Sequence, residues 1–395
     1  MFLTFMIYLF LLCLLLVFYT YIGYGVILWV LVKIKEQFHP PAVLQLPDEL
    51  PEVTLFITAY NEEDIVEAKM ENCRAIDYPG EKLKIMWVTD GSTDSTNEKL
   101  MVFPEVTRLF HPARKGKTAA MNRGMAYVET PIVVFTDANT LINAQAMKEI
   151  VKAFTDPGVG CVAGEKRIAV KGKDIASSGG EGAYWLYEST MKALDSRLYS
   201  AVGAAGELFA IRTALFKELP EDTLLDDFVM SLQIAQEGYR IAYCKNAYAS
   251  ESASFNMVEE EKRKIRIAAG GLQSIGRLRS LLNPFRYGWL TFQYVSHRVL
   301  RWTITPIALF MLLPLNIVLL LLNAEPAWFF LLCAVSQALF YLTALIGWQL
   351  AHHAIKNKKL FIPYYFLFMN INVLKGMVYL KRFNGNAAWE KAKRL

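Results

Sequence analysis

No charged residue occurs from Met1 to Val32, and between Thr303 and Leu350 the only one is Glu325. Each block supplies the roughly 20 mostly apolar residues that a membrane-spanning helix requires. The pattern predicts a transmembrane helix over residues 1–35, ended by His39-Pro40-Pro41. It also predicts a transmembrane hairpin over 303–350, in which Thr303 to Leu322 and Ala327 to about Leu350 flank the turn Asn323-Ala324-Glu325-Pro326. A fourth run, Phe361 to Leu380, is interrupted by Asn370, Asn372 and Lys375 and leads into a basic tail, so residues 361–395 form a last membrane-associated unit. Residues 51–276 carry an ordinary density of charge and read as a globular domain. There Val53–Ala59, Lys84–Thr89 and Ile132–Thr136 are short apolar runs of the kind that form buried parallel strands, and helical patterns separate them. Each run ends in a polar cluster: Tyr60-Asn61-Glu62, Asp90-Gly91-Ser92 and Asp137-Ala138-Asn139. Open α/β sheets bind ligands beyond the carboxyl ends of their strands, so the three clusters are expected to converge on one site.

Composition sharpens this picture. Hydrophobic residues make up 54% of the 395, too many for an ordinary soluble enzyme. The first block lacks a basic start and is too long for a cleaved signal, so a retained anchor is expected. Cys13, Cys73, Cys161, Cys244 and Cys333 form no C-x-x-C pair, which points to reduced thiols and no zinc site. A net charge of +5 suits an anionic lipid surface and phosphorylated substrates, and no nucleic-acid partner is expected.

Lys33, Lys35, Arg298, Arg301, Lys356, Lys358 and Lys359 flank the apolar blocks on one side, and the turn at Glu325 has no basic residue. By the positive-inside rule the globular domain is cytoplasmic and the turn faces outward. A spanning fourth run would place Lys381, Arg382, Lys391, Lys393 and Arg394 outside, so an in-plane or re-entrant helix with a cytoplasmic C-terminus is expected. Residues 277–302 form a separate region. Within it, Phe285 to Trp302 mixes aromatic residues with Arg286, His297, Arg298 and Arg301. That composition suits an interfacial helix or a basic extension of the next spanning helix.

Candidate chemistry lies at the strand ends and beyond. Asp90 to Thr96 is either a capped helix start or a loop that lets a ligand approach the backbone. Asp137-Ala138-Asn139 is either an Asx turn or an oxygen-ligand supply for Mg²⁺ or Mn²⁺ shared with substrate phosphates. Arg114, Lys115 and Lys117 form a phosphate contact or a solvated charge run. Asp226-Asp227 precedes a helical stretch, Phe228 to Gln236, where a carboxylate can cap the helix, act as a general base, or do both. Arg263 and Arg266 share a helix face and can clamp a diphosphate or form a membrane-facing basic patch. His352-His353 shows no metal spacing.

In this order the motifs resemble glycosyltransferase family 2, with its GT-A fold, a Rossmann-like, mostly parallel α/β sheet. The flanking helices make the chain similar to the membrane branch that includes cellulose, hyaluronan and poly-N-acetylglucosamine synthases. The resemblance implies that Thr58, Tyr60, Asn61, Glu62 and Asp90 hold the nucleotide, with Lys117 close by. Asp137 and Asn139 then form the metal site, and Arg263 and Arg266 face the diphosphate. Gly203-Ala204-Ala205-Gly206-Glu207 is similar to the family's acceptor loop, with Trp185, Tyr187 and Glu188 near it, and Asp227 takes the place of the catalytic base beside Asp226. Asn139 replaces the second carboxylate of the D-x-D motif. Arg263-Lys264-Ile265-Arg266-Ile267 replaces the Q-x-x-R-W of processive synthases.

The resemblance implies inverting transfer from a nucleotide-sugar, with UDP favoured, to a polysaccharide or lipid-linked acceptor, forming a β-linkage. The expected setting is the plasma (inner) membrane, with a homo-oligomer or an export partner as further company. A non-catalytic nucleotide-binding sensor or scaffold is the competing expectation, and it leaves Asp227 without a task.

Overall fold

The structure, a computed structural model, describes residues 1–169, 176–252, 256–352, 358–383 and 385. His353, Lys356, Lys391, Lys393 and Arg394 lie outside the described residues. The chain opens with one long apolar helix, α1 (Phe2–Phe38), which ends just before His39-Pro40-Pro41 and contains a π-helical turn at Tyr19–Gly23.

The three expected strands are neighbours in an eight-stranded sheet made of β1 (Val53–Ala59), β2 (Leu83–Asp90), β3 (Val106–His111), β4 (Ile132–Asp137), β5 (Leu141–Ile142), β6 (Val159–Ala169), β7 (Phe209–Arg212) and β8 (Arg240–Ser252). Their order is β3-β2-β1-β4-β7-β6-β8-β5. β3, β2, β1 and β4 are parallel, whereas β7 runs antiparallel between β4 and β6. Thr58 is level with both Val88 and Asp137, so β1, β2 and β4 finish at one edge, as the three polar clusters predict.

Strand side chains alternate between two cores. Phe56, Val88, Val133 and Phe135 pack on one face with α3 (Lys117–Met125) and α6 (Asp226–Gln236). Leu55, Ile57, Trp87 and Val134 pack on the other with α2 (Val66–Arg74) and α4 (Ala146–Ala153). Each large apolar side chain buried this way contributes about 1.5–3 kcal/mol. Two longer helices, α5 (Ala176–Leu198) and α7 (Met257–Arg277), carry the domain towards the apolar helices.

Those helices are α8 (Ile304–Leu321), α9 (Ala327–His352) and α10 (Lys358–Arg382). With α1 they make four described helices long and apolar enough to cross a membrane. The protein is a membrane protein with apolar helices on either side of its sheet domain. α1 and α8 join through a hydrogen bond between Thr20 and Thr305, 3.0 Å, and Phe10 meets Phe330 of α9 edge-on. The segment before α8 is separate from it: Trp289–Tyr294, a π-turn at Val295–Val299 and Leu300–Trp302 end at Thr303, whose φ of −123° and ψ of −94° break the helix. α10 packs along α7. Tyr365 donates to Glu260 at 2.8 Å, Lys375 pairs with Glu261, and a Cβ on Gly376 would lie 2.6 Å from that of Ala268.

Candidate active site

At the sheet edge the loops after β1 and β2 are stitched together. Asn61, at φ +53°, accepts the Thr93 N–H at 2.8 Å through its side-chain oxygen. The Asn61 N–H donates to Ser92 Oγ, and the Glu62 N–H donates to Thr96 Oγ1 at 2.8 Å. The Arg114 guanidinium lies 3.7 Å from the centre of the Tyr60 ring.

Asp90 is buried and organises the next loop. Its Oδ2 accepts the N–H groups of Lys115 and Gly116 at 2.9 and 2.6 Å. Its Oδ1 makes no hydrogen bond among the described residues and lies 3.6 Å from Arg123. Gly91 has φ +68°, and a Cβ there would sit 2.7 Å from the backbone of Arg114. Only glycine lets these two loops approach so closely.

Lys117, the first residue of α3, brings the acidic residues together. Its Nζ lies 2.7 Å from Asp137 Oδ1 and 3.7 Å from Asp226 Oδ2. A Cβ on Gly206 would be 3.0 Å from the same ammonium and 3.3 Å from Asp227 Oδ2. Burial opposes the lysine's charge, but Asp137, Asp226 and Asp227 outweigh it and push its pKa up. Asp226 and Asp227 sit within the first turn of α6, with Leu225 as the capping position. This differs from the expectation that the pair precedes the helix. Asp227 Oδ1 accepts the Phe228 N–H at 2.8 Å. Burial, then the neighbouring charge of Asp226, raises the Asp227 pKa to about 7, against the pull of Lys117. A carboxylate tuned near neutral pH is suited to accept a proton.

The same acidic cradle fits a divalent cation. Asp137 and Asn139 are half-buried at the end of β4, and the Lys117 ammonium lies against Asp137 where positive charge is stabilised. Asp226 Oδ2 makes no hydrogen bond among the described residues. Among the described residues no group of three or more His, Cys, Asp or Glu could hold a metal by itself. That matches Mg²⁺ or Mn²⁺ sites that share their ion with substrate phosphates.

The two arginines of α7 part company. Arg266 feels Asp226, Asp227 and Asp137, and burial lowers its pKa to about 10. Arg263 is tied to Glu260 at 3.0 Å. The glycine loop lies beside Asp227: Gly203 has φ +85°, and a Cβ there would be 2.2 Å from the Phe228 ring. Trp185 faces the ammonium of Lys166 at 4.8 Å. Glu188 is buried between Arg298, 2.9 Å, and Arg301, 2.5 Å, which hold its pKa well below the usual range despite the cost of burial. Tyr187 accepts from Arg301 at 2.5 Å and donates to the Tyr21 carbonyl.

Some residues escaped the sequence reading. Lys69 is fully buried under Asp137, donating to the carbonyls of Asp137 and Thr140 at 3.1 and 2.6 Å. Burial lowers its pKa to about 8. The available signal was a lysine on the apolar face defined by Val66, Met70 and Cys73. Lys166 joins Glu207 of the glycine loop to Glu251, 2.5 Å away, and Asp195 bonds His297 at 2.5 Å. These pairs are distant in sequence and had no local signal.

A family profile described as "Glycosyltransferase like family 2" matches residues 51–269. A poly-beta-1,6-N-acetyl-D-glucosamine synthase of Staphylococcus aureus strain MSSA476 is 28% identical over 236 residues, covering 57% of this chain and 55% of that enzyme. A beta-monoglucosyldiacylglycerol synthase of Synechocystis is 26% identical over 236 residues, covering 56% and 48%. The chain thus spans about half the length of these curated relatives. The mannosyltransferase PcManGT of Pyrobaculum calidifontis, solved in complex with GDP-Man and Mn²⁺, has the same fold, with a TM-score of 0.69. That match covers 94% of this chain and 99% of that one at 20% identity.

Proposed function

The chain belongs to the glycosyltransferase-like family 2, and from the geometry of its site we propose that it moves one sugar from a nucleotide-sugar, UDP-linked, to a lipid-linked acceptor with inversion. The observation that carries this reading is the convergence of Asp137, Asp226 and Asp227 on Lys117 at the end of the sheet, with Asp227 poised near neutral pH.

Asp90, whose Oδ1 makes no hydrogen bond among the described residues, and the stitched loops around Tyr60 form the nucleotide cradle. In the reaction Asp227 takes the proton from an acceptor hydroxyl. The hydroxyl oxygen bonds to the anomeric carbon as the bond to the diphosphate oxygen breaks on the opposite face, so an α-linked donor gives a β-linked product. Lys117 and Arg266 place positive charge where the diphosphate gains its negative charge, and such prearranged charge is usually a large catalytic term. Asp137 and Asn139 would hold Mg²⁺ or Mn²⁺, which would supply charge neutralisation for the diphosphate. Asp227, with its raised pKa, is the feature a sensor or scaffold does not need.

Two observations support a lipid acceptor over a growing polymer. Glu188, Tyr187, Arg298 and Arg301 fill the junction between the site and α1 with buried ion pairs. Ile267 stands where the tryptophan of processive synthases is found. The glycolipid-forming Synechocystis relative fits the same reading. In this reading α10, which packs along α7 and against Phe340 and Gly347 of α9, is an in-plane or re-entrant helix on the cytoplasmic side of the membrane.

The test is transfer of radiolabel from a panel of UDP-sugars by purified protein in lipid, with Mn²⁺. Label in a small, organic-extractable product is expected. Label in a high-mass aqueous product would show a polymerase, and nucleotide binding without transfer from any donor would favour the sensor.

A further inference from the structure

A cavity of about 330 Å³ opens between α7 and the C-terminal half of α10. Its lining is Ile265, Lys375, Val378, Tyr379, Arg382 and Phe383. Lys375, Val378, Tyr379 and Arg382 are spaced to share one face of α10. Cations in a last helical turn offset the helix dipole, which accounts for Arg382. It does not account for Lys375 two turns earlier, nor for the open space between the two.

The chemistry of the lining is mixed. Lys375 pairs with Glu261, and Arg382 adds a second cation at the exposed rim. Val378 and Tyr379 are exposed beside them, on a helix apolar enough to lie in or cross a bilayer. Cations next to an exposed apolar wall match a ligand with an anionic head and a hydrocarbon chain. A free anion needs no apolar wall, and a neutral lipid needs no cations. Tyr379 is within electrostatic reach of Arg266, which in turn feels Asp226 and Asp227. Phe383 of the lining packs against Leu224, two residues before Asp226, so the cavity lies on the α10 side of the start of α6.

We propose that this cavity binds the phosphate-bearing headgroup of a lipid, with the phosphate at Arg382 and Lys375 and the chain along Ile265, Val378 and Phe383. Its role as the entry point of an acceptor that carries the attacking hydroxyl as well as this phosphate rests on the lipid-acceptor reading above, whereas the binding itself does not.

The test is binding of dodecyl phosphate to the full chain in dodecyl maltoside, followed by the shift in Tm and by native mass spectrometry. Inorganic phosphate and dodecanol serve as controls. Wild type is expected to bind dodecyl phosphate, and Arg382→Gln and Lys375→Gln each to weaken binding about tenfold, the effect of losing one charge-assisted contact. Both side chains are at the surface, so folding is retained, and Asp227→Asn is expected to bind as wild type does. Equal binding of inorganic phosphate would overturn the lipid assignment. No binding by wild type, or binding unchanged in both variants, would overturn the site. In nanodiscs, 20% phosphatidylglycerol that displaces dodecyl phosphate would mark a general anionic-lipid site and overturn the entry role alone. Dodecyl phosphate binding that persists while no lipid product forms would leave the cavity assigned and remove the acceptor reading.

Discussion

The sheet edge and the membrane junction are built in opposite ways. At the sheet edge Asp90 and Asp137 lie at strand ends, and short loops hold them through backbone contacts such as Asp90 with Lys115 and Gly116. There the charges of Lys117 and Asp137 are left partly exposed. At the junction Glu188 and Asp195 of α5 are buried against Arg298, Arg301 and His297, about a hundred residues away in sequence, and Tyr24 of α1 donates to Asp195 at 2.5 Å. Charge there is consumed by other protein charges. Two π-turns, Tyr19–Gly23 and Val295–Val299, face each other across this junction, with Tyr19 bonded to Ser296 at 2.7 Å. The sheet edge is equipped for chemistry, and the junction for holding the domain on its helices.

Perturbing each region separately tests that division. The largest effect is expected from metal removal: chelation should abolish transfer and Mn²⁺ should restore it, with the melting temperature little changed. At the junction, Glu188→Ala leaves two buried guanidinium groups without their carboxylate, a loss of about 3–5 kcal/mol. A calorimetric melt in detergent should show this as a large drop in Tm, while donor affinity at low temperature changes little. At the sheet edge, Gly91→Val forces a side chain against Arg114 in a left-handed conformation, a strain of about 1–3 kcal/mol. Titration calorimetry should find donor binding weakened about tenfold, at 1.4 kcal/mol per decade. The smallest effect is on pH dependence. With the Asp227 pKa near 7, kcat/KM should fall as pH drops below about 7, because the base becomes protonated. Lys117→Met removes the cation that favours the ionised form, so the acid limb should move to higher pH.

The same contrast explains what the sequence made legible. The strand ends of β1, β2 and β4 were readable because apolar runs stop at polar clusters, and parallel register then aligns those clusters. The apolar blocks were readable from the absence of charge alone. The antiparallel β7 and the long β6–β8 pair were not, since Phe209–Arg212 is too short to announce a strand and its partners are remote. Asp227 was recognisable as an acid pair, but its raised pKa depends on burial that only the packed domain supplies. Glu188 was expected beside the acceptor. In the structure its carboxylate is held by Arg298 and Arg301, partners that no local spacing reveals. Lys69 shows the converse: helical periodicity places it on the apolar face of α2, yet its oxygen partners come from the β4 turn.

The most direct test of the central claim is Asp227→Asn, with donor binding by calorimetry and turnover measured on the same preparation. Loss of a general base lowers turnover about 10²–10⁴-fold. The account predicts that loss with nucleotide affinity unchanged. Turnover close to wild type, or loss of nucleotide binding together with activity, would contradict it.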